Sequence, residues 1–206
     1  MSGAFPISTS KFQTLGIKSV QNTIVSKSLS GKKLSRQVDN QRFSFTASII
    51  TAKRSDVYGE LMAFIMKQRS GKENFTIIPP EIEDARGNET GTVLVNGSHA
   101  VGDTTIAMDA HHNDNPHAFK AGDFIKFASH TKVYMVVADV QASSNASTVT
   151  IEPPLIATVA DDSVVTYDNV PFTVYLTNDI QEFGVSGVSN DGKLYYEYQF
   201  DVEEAL

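Results

Sequence analysis

The chain has 206 residues, a net charge of −7 and 41% hydrophobic residues, including 12 Phe and 7 Tyr, and it has no Cys. This length fits one large β domain or two smaller ones, and the aromatic content is sufficient for a folded core. The lack of Cys excludes a disulfide framework, Cys-ligated zinc and a Cys nucleophile. No apolar run approaches the roughly 18–20 residues of a membrane span, and no apolar signal core begins the chain, so we expect a soluble protein.

The charges are unevenly distributed along the chain. Residues 1–72 carry 12 Lys/Arg and 3 Asp/Glu, a net charge of +9, whereas residues 73–206 carry 5 and 21, a net charge of −16. Such asymmetry indicates partners rather than a fold. The basic part can pair with an acidic partner or with the acidic part of another copy, and the second arrangement builds rings or stacks.

The N-terminal segment is polar. Residues 1–40 are rich in Ser, Thr, Asn and Gln, which predicts an extended arm with Phe5 and Phe12 as anchors. A strand over 20–28 and a turn around Gly31 predict that the arm contains a long hairpin with a positively charged tip. The alternative is a solvated, partly disordered segment. The predicted interface cations of the arm are Lys27, Lys32, Lys33, Arg36 and Arg42.

The next segments predict a sheet with one helix. Residues 42–49 alternate between apolar and polar side chains, as in a half-buried strand. Apolar residues at helical spacing predict a helix at about 55–69, with a core-facing stripe. Residues 75–78 then form a strand, which Pro79 and Pro80 end.

The remainder of the sequence, from residue 81 onward, predicts further strands. Between 81 and 169, about six short strands separated by turn residues indicate a small all-β module, in which Asn96-Gly97 is a hairpin turn signal. Residues 171–176 and 193–202 alternate again over longer strands. The predicted fold class is therefore mainly β: a sheet or sandwich domain with one packed α-helix, and an inserted small barrel or sandwich.

This pattern predicts two domains. Residues 1–80 and 170–206 form the sheet-plus-helix domain with its N-terminal arm, and residues 81–169 form the insertion. Pro79, Pro80 and Pro171 flank the insertion. An insertion at an exposed loop costs little loop entropy.

The sequence offers little catalytic chemistry. It lacks a Gly-rich phosphate loop, a Gly-x-Ser-x-Gly elbow and a His-Glu-x-x-His motif. Three His and two Asp within 109–117 could bind a divalent metal, but the Asn-Asp-Asn-Pro run favours a solvated loop tip. We therefore expect no catalytic residues, no cofactor and no metal.

Nucleic-acid binding by the basic arm is a weaker alternative. The arm supplies cations, and Phe43 or Phe45 could stack on bases. Those two residues alternate as core residues do, however, and the whole chain is acidic. Pairing of the arm with an acidic neighbouring subunit is the more economical interpretation.

An ordered series of segments resembles structural proteins of double-stranded-DNA phage tails. The family is one of small tail-tip or baseplate proteins of tailed bacteriophages, of the distal tail or tube-initiator type, common in marine phages. The segments are Phe5-Pro6 and residues 23–33, 41–46, 63–69, 75–80, 121–127, 133–136, 151–155 and 201–206.

The resemblance implies a non-enzymatic ring subunit, typically six-fold, with a tail-tube-like β domain, one packed helix and the inserted module outside. It implies contacts with other tail or baseplate proteins and genomic DNA passing through an acidic lumen without specific binding. It also implies assembly in the host bacterial cytoplasm, a place in the virion and no membrane partner. The alternative function is a carbohydrate- or host-surface-binding module at 81–169.

Overall fold

The computed structural model describes residues 3–112 and 114–206. Within them the protein has 16 β-strands and one α-helix, so the predicted mainly β fold is confirmed. The chain divides into two compact units. The first holds the described residues up to Phe75 together with Val174–Ala205, and the second holds Thr76–Thr173. No described helix has the length and apolarity to cross a bilayer.

The first unit is built on one sheet whose long strands pair antiparallel. Its strand order is β1-β4-β16-β14-β5, and β15 pairs with β16 beside β14. β2 and β3 form a separate two-stranded hairpin. The strands are β1 (Phe12–Val20), β2 (Thr23–Lys27), β3 (Lys33–Gln37), β4 (Arg42–Lys53), β5 (Phe75–Ile77), β14 (Phe172–Leu176), β15 (Phe183–Val188) and β16 (Leu194–Glu204).

Alternation along the two long strands separates a buried face of this sheet from a polar face. On β4, Phe43 and Phe45 are buried while Ser44 between them is partly exposed, which confirms the predicted pattern. On β16 the buried residues include Phe200 and Val202. Full burial of each such side chain contributes about 1.5–3 kcal/mol, so this face supplies the core of the unit.

A helix packs on the buried face. Arg54–Tyr58 is a π-helical turn, and the α-helix α1 (Gly59–Gln68) follows it directly, which confirms the predicted helix at about 55–69. α1 buries Leu61 and Ile65. It ends at Arg69, whose φ of 52° places the backbone in the left-handed region.

Part of the segment predicted as an extended arm over residues 1–40 belongs to the sheet of the first unit. Residues Phe12–Val20 form β1 and pair with β4 in the sheet. The ring of Phe5 lies 5.4 Å from Phe200 and 5.7 Å from Phe64. Packing of these aromatic rings outweighs the polar composition of the segment, so the hairpin of β2 and β3 is the part that leaves the sheet.

The second unit has eight short strands rather than about six. Its main sheet has the order β13-β9-β10-β12-β7-β6, and β8 pairs with β11. Its hydrophobic core lies between Val93 and Tyr167 in the sequence. The strands are β6 (Leu94–Val95), β7 (Thr105–Asp109), β8 (Asn115–Phe119), β9 (Phe124–Phe127), β10 (Val133–Val136), β11 (Val140–Ala142), β12 (Ser147–Glu152) and β13 (Val165–Thr166).

The hairpin predicted around Asn96-Gly97 is present, but its connection is longer than a tight turn. β6 and β7 do pair antiparallel, with Val95 opposite Met108, but the connection between them runs over residues 96–104. The backbone of His99 exchanges two 3.0 Å hydrogen bonds with Val159 instead. This pairing with a distant segment holds the connection open, which a local turn signal cannot reveal.

Candidate assembly interface

Four of the five predicted interface cations lie on the hairpin of β2 and β3. The two strands pair over five residues each, from Thr23 opposite Gln37 to Lys27 opposite Lys33. In the turn, the N–H of Gly31 donates to the carbonyl of Ser28 at 2.9 Å. Gly31 has a φ of +79°, a conformation in which a residue with a side chain is strained.

The hairpin concentrates positive charge without internal compensation. Residues 23–37 contain four cations and no Asp or Glu. None of the four forms an ion pair with another residue in the described part of the chain. Lys27 and Lys33 lie directly opposite each other on one face, which destabilises an isolated hairpin. The four cations of the hairpin are Lys27, Lys32, Lys33 and Arg36, and all are exposed.

The hairpin also exposes apolar side chains. Every residue of both strands is exposed, including Ile24 at 62% and Leu34 at 52%. Leu29 at the tip is fully exposed. A two-stranded hairpin without a covered face is marginally stable in water, so apolar and basic side chains here are suited to a partner surface.

Arg42, the fifth predicted cation, lies apart from the hairpin at the start of β4. Its guanidinium donates to Glu203 at 3.1 Å and to Asp39 at 3.0 Å. The hydrogen bond to Glu203 is the main reason that the pKa of Arg42 is raised above its usual value. The structure thus brings Arg42 together with carboxylates of its own unit and not with the hairpin cations.

The polar face of the first sheet carries a row of hydrogen bonds that sequence analysis missed. Lys18 donates to the hydroxyl of Thr46 at 3.0 Å, and that hydroxyl contacts Asp201 at 2.5 Å. The phenol of Tyr175 donates to Glu203 at 3.1 Å. These partners lie on strands far apart in the sequence. Predicting them would have required the register in which those strands pair.

The second unit offers no exposed aromatic platform for a glycan within its described residues. All six of its Phe and Tyr side chains are buried, as expected for Phe119, Phe124, Phe127 and Tyr134 from the sequence. The other two, Tyr167 and Phe172, are buried as well. Stacking of sugars on aromatic rings therefore has no site on the described surface of this unit.

The interpretation of residues 109–117 as a solvated loop tip is wrong for His111, although Asn113 lies outside the described residues. His111 is buried, with Nδ1 2.8 Å from Oε2 of Glu89 and Nε2 2.7 Å from Oγ of Ser147. Asn115 begins β8, so part of the predicted loop is a strand. No group of three or more potential ligands able to hold a metal ion occurs among the described residues.

The carboxylate of Glu89 joins its own loop to the segment at residues 111–112, and His111 continues the link to β12. Besides His111, it accepts backbone N–H groups of Gly91 at 2.8 Å and of His112 and Thr90 at 3.0 Å. Burial alone raises the pKa of Glu89, but these hydrogen bonds outweigh burial and hold the pKa below its usual value. The arrangement keeps the carboxylate ionised and fastens the loop at 89–91 to β12.

Residues 82–170 match the sequence model of the family described as distal tail protein pb9, B domain. No curated protein gives a significant match to the chain. The match covers the second unit almost entirely, and it confirms the resemblance to phage distal tail proteins that the sequence indicated. Over residues 82–170 the chain is therefore similar to the B domain of the distal tail protein pb9, and this similarity supports a structural role in the phage tail.

Proposed function

We propose that the protein is a subunit of a six-fold ring at the tail tip, the baseplate or the end of the tail tube. Each copy contacts its neighbours through the hairpin of β2 and β3. The observation that carries this proposal is the hairpin itself, because it presents four cations without partners beside exposed apolar side chains. The family match supports the role in the tail.

The charge of the rest of the protein supports contacts between copies. The second unit carries 4 Lys/Arg and 13 Asp/Glu, so it is strongly acidic. The first unit carries 13 and 11, and its excess of cations lies in the hairpin. A basic projection and an acidic body on one chain attract when they belong to different copies, and such contacts between unlike surfaces close into rings.

The edges of the first sheet give a second reason to expect association. β1 pairs with β4 on one side and with no other described strand on the opposite side. β15 pairs only with β16 among the described strands. Open strand edges present unpaired N–H and C=O groups, which favours packing against another chain.

The proposal extends to the surroundings of the ring. Other tail or baseplate proteins bind its faces, and genomic DNA passes through its lumen without specific binding. An acidic protein with a net charge of −7 repels phosphates, which supports free passage of DNA. Ring assembly takes place in the host cytoplasm before the ring enters the virion.

The mass of the purified protein at different salt concentrations tests the proposal. We expect closed oligomers of the 22.4 kDa chain by light scattering and ring-shaped particles by negative-stain microscopy. Because exposed charges are screened beyond about 10 Å at 0.1 M salt, the oligomers should loosen as salt rises. A monomer that neither self-associates nor binds other tail proteins would contradict the proposal.

A further inference from the structure

An open cleft of about 440 Å³ lies on the polar side of the sheet in the first unit. Side chains of β1, β4, β15 and β16 line it, together with the segment that precedes β15. Its volume is within the roughly 300–1,000 Å³ of pockets that bind ligands or inserted side chains. The lining residues are Gln13, Ser48, Ile49, Ile180, Glu182, Gly184, Glu197, Tyr198 and Gln199.

The cleft combines two carboxylates with an apolar rim. Glu182 and Glu197 are exposed, and neither forms a hydrogen bond or ion pair with another described residue. No Lys or Arg lines the cleft. Ile180 is 86% exposed, whereas Tyr198 is buried. The cleft is thus suited to a partner with both positive charge and an apolar side chain.

Gly184 leaves room for one of these carboxylates. Gly184 and Glu197 are paired residues of β15 and β16. A Cβ atom at position 184 would lie 3.0 Å from Cγ and Oε1 of Glu197, closer than most real contacts of this kind. The absence of a side chain at 184 therefore lets the Glu197 side chain lie across β15 into the cleft.

The hairpin tip has the matching chemistry. Lys32 and Lys33 supply two cations for two carboxylates, and the fully exposed Leu29 supplies an apolar side chain for Ile180. We propose that the cleft receives the hairpin tip of a second copy of this chain. This inference rests on the proposed self-association and identifies the surface on which the hairpin docks.

The placement of the two surfaces favours contact between copies. The cleft lies at the end of β1 where Gln13 and Thr14 lie, with Thr14 opposite Ser48. The hairpin leaves from the other end of β1, at Val20, roughly 23 Å away along an extended strand. A projection at one end and its receptor at the other end produce a head-to-tail contact, which repeats from copy to copy.

Cysteine cross-linking of the full chain tests the proposal directly, because the protein has no Cys of its own. In the variant L29C/I180C, oxidation should produce a ladder of covalent multimers on a denaturing gel. L29C/V101C is the matched control, since Val101 is also exposed but lies in the second unit. A ladder no stronger than that of the control, or a disulfide within one chain, would overturn the inference.

Charge exchange separates this inference from the proposed function. E182K/E197K should weaken self-association about tenfold or more, as should K32E/K33E. In a mixture of the two variants, the carboxylates introduced on the hairpin of one should pair with the lysines introduced in the cleft of the other. Mixed oligomers should therefore form. If the hairpin variant loses assembly while the cleft variant assembles normally, the ring proposal stands and the cleft is not the receptor. If neither variant changes assembly, both proposals fail.

Discussion

Arg42 and Glu203 lie 161 positions apart in the sequence and form an ion pair of 3.1 Å between β4 and β16. A second pair, Lys53 and Asp191 at 3.0 Å, joins the same two parts of the chain. The acidic C-terminal segment thus folds against the basic first third. The +9 charge of residues 1–72 is largely compensated within one unit, and the hairpin remains as its uncompensated part.

The Arg42–Glu203 pair predicts a stabilising role for Arg42. Because both side chains are partly exposed, R42M should lower the free energy of unfolding by about 1 kcal/mol. Denaturant unfolding measures this change. Self-association of R42M should match that of the native protein. Unchanged stability together with weaker association would instead favour the interface role predicted from the sequence.

The hairpin cations are predicted to act as a group. K32E/K33E/R36E should weaken self-association by about 1–3 kcal/mol, roughly fivefold to 150-fold, while each single reversal should do little. Light scattering against concentration gives the association constant. Circular dichroism should show an unchanged fold, because all three side chains are exposed and form no ion pair within the described chain.

A matched variant controls for net charge. K11E/R54E/K72E changes the charge by the same amount at exposed positions of the first unit outside the hairpin. It should assemble like the native protein at the same salt concentration. Equal weakening in both triple variants would mean that total charge, and not the hairpin, controls association.

The buried pair of Glu89 and His111 predicts a pH-dependent stability of the second unit. Since the pKa of Glu89 is lower in the folded than in the unfolded chain, its contribution is complete above the unfolded pKa of about 4.3. It is lost as the pH falls through the lower folded pKa. E89Q should cost about 3 kcal/mol at pH 7, and it should flatten the acid limb of the stability profile.

Urea unfolding of E89Q between pH 3 and pH 7 measures this effect, with E81Q at an exposed position as control. E81Q should follow the native profile. If E89Q were as stable as the native protein at pH 7, the hydrogen bonds to Glu89 would not stabilise the unit. A parallel shift of the whole profile would mean that another group causes the pH dependence.

The segment 81–169 is predicted to fold on its own. The main cluster of buried apolar residues in the second unit runs from Val93 to Tyr167, so removing the rest of the chain leaves this cluster complete. The isolated segment should show β-type circular dichroism and one cooperative thermal transition. A spectrum of an unfolded chain would show that 81–169 is not an independent domain.

Local patterns in the sequence were sufficient for the elements whose side chains alternate or recur regularly. Phe43 and Phe45 mark β4, and the apolar spacing around Leu61 marks α1, because a buried face imposes its own period on the residues that form it. The hairpin was also predictable, since Gly31 and its neighbours are typical of a turn. Because the hairpin could be located in the sequence, its four cations could be named as well.

Long-range pairing was not predictable in this way. His111 lies in a polar, Asn-rich stretch, and nothing near it in the sequence indicates that Glu89 and Ser147 enclose it. The same holds for the connection after Asn96, which pairs with Val159. Hydrogen bonds between segments dozens of residues apart depend on the topology of the fold, which local sequence patterns do not reveal.

The sequence by itself determined the mainly β class, the helix, the basic hairpin and the resemblance to phage tail proteins. The tertiary structure decided where the charges act. It placed Arg42 against Glu203 and left the ammonium groups of Lys32 and Lys33 without an ion pair in the described chain. It also brought Glu182 and Glu197 together in one cleft. The physical reason is that composition fixes how much charge a chain carries, whereas strand pairing fixes which charges meet.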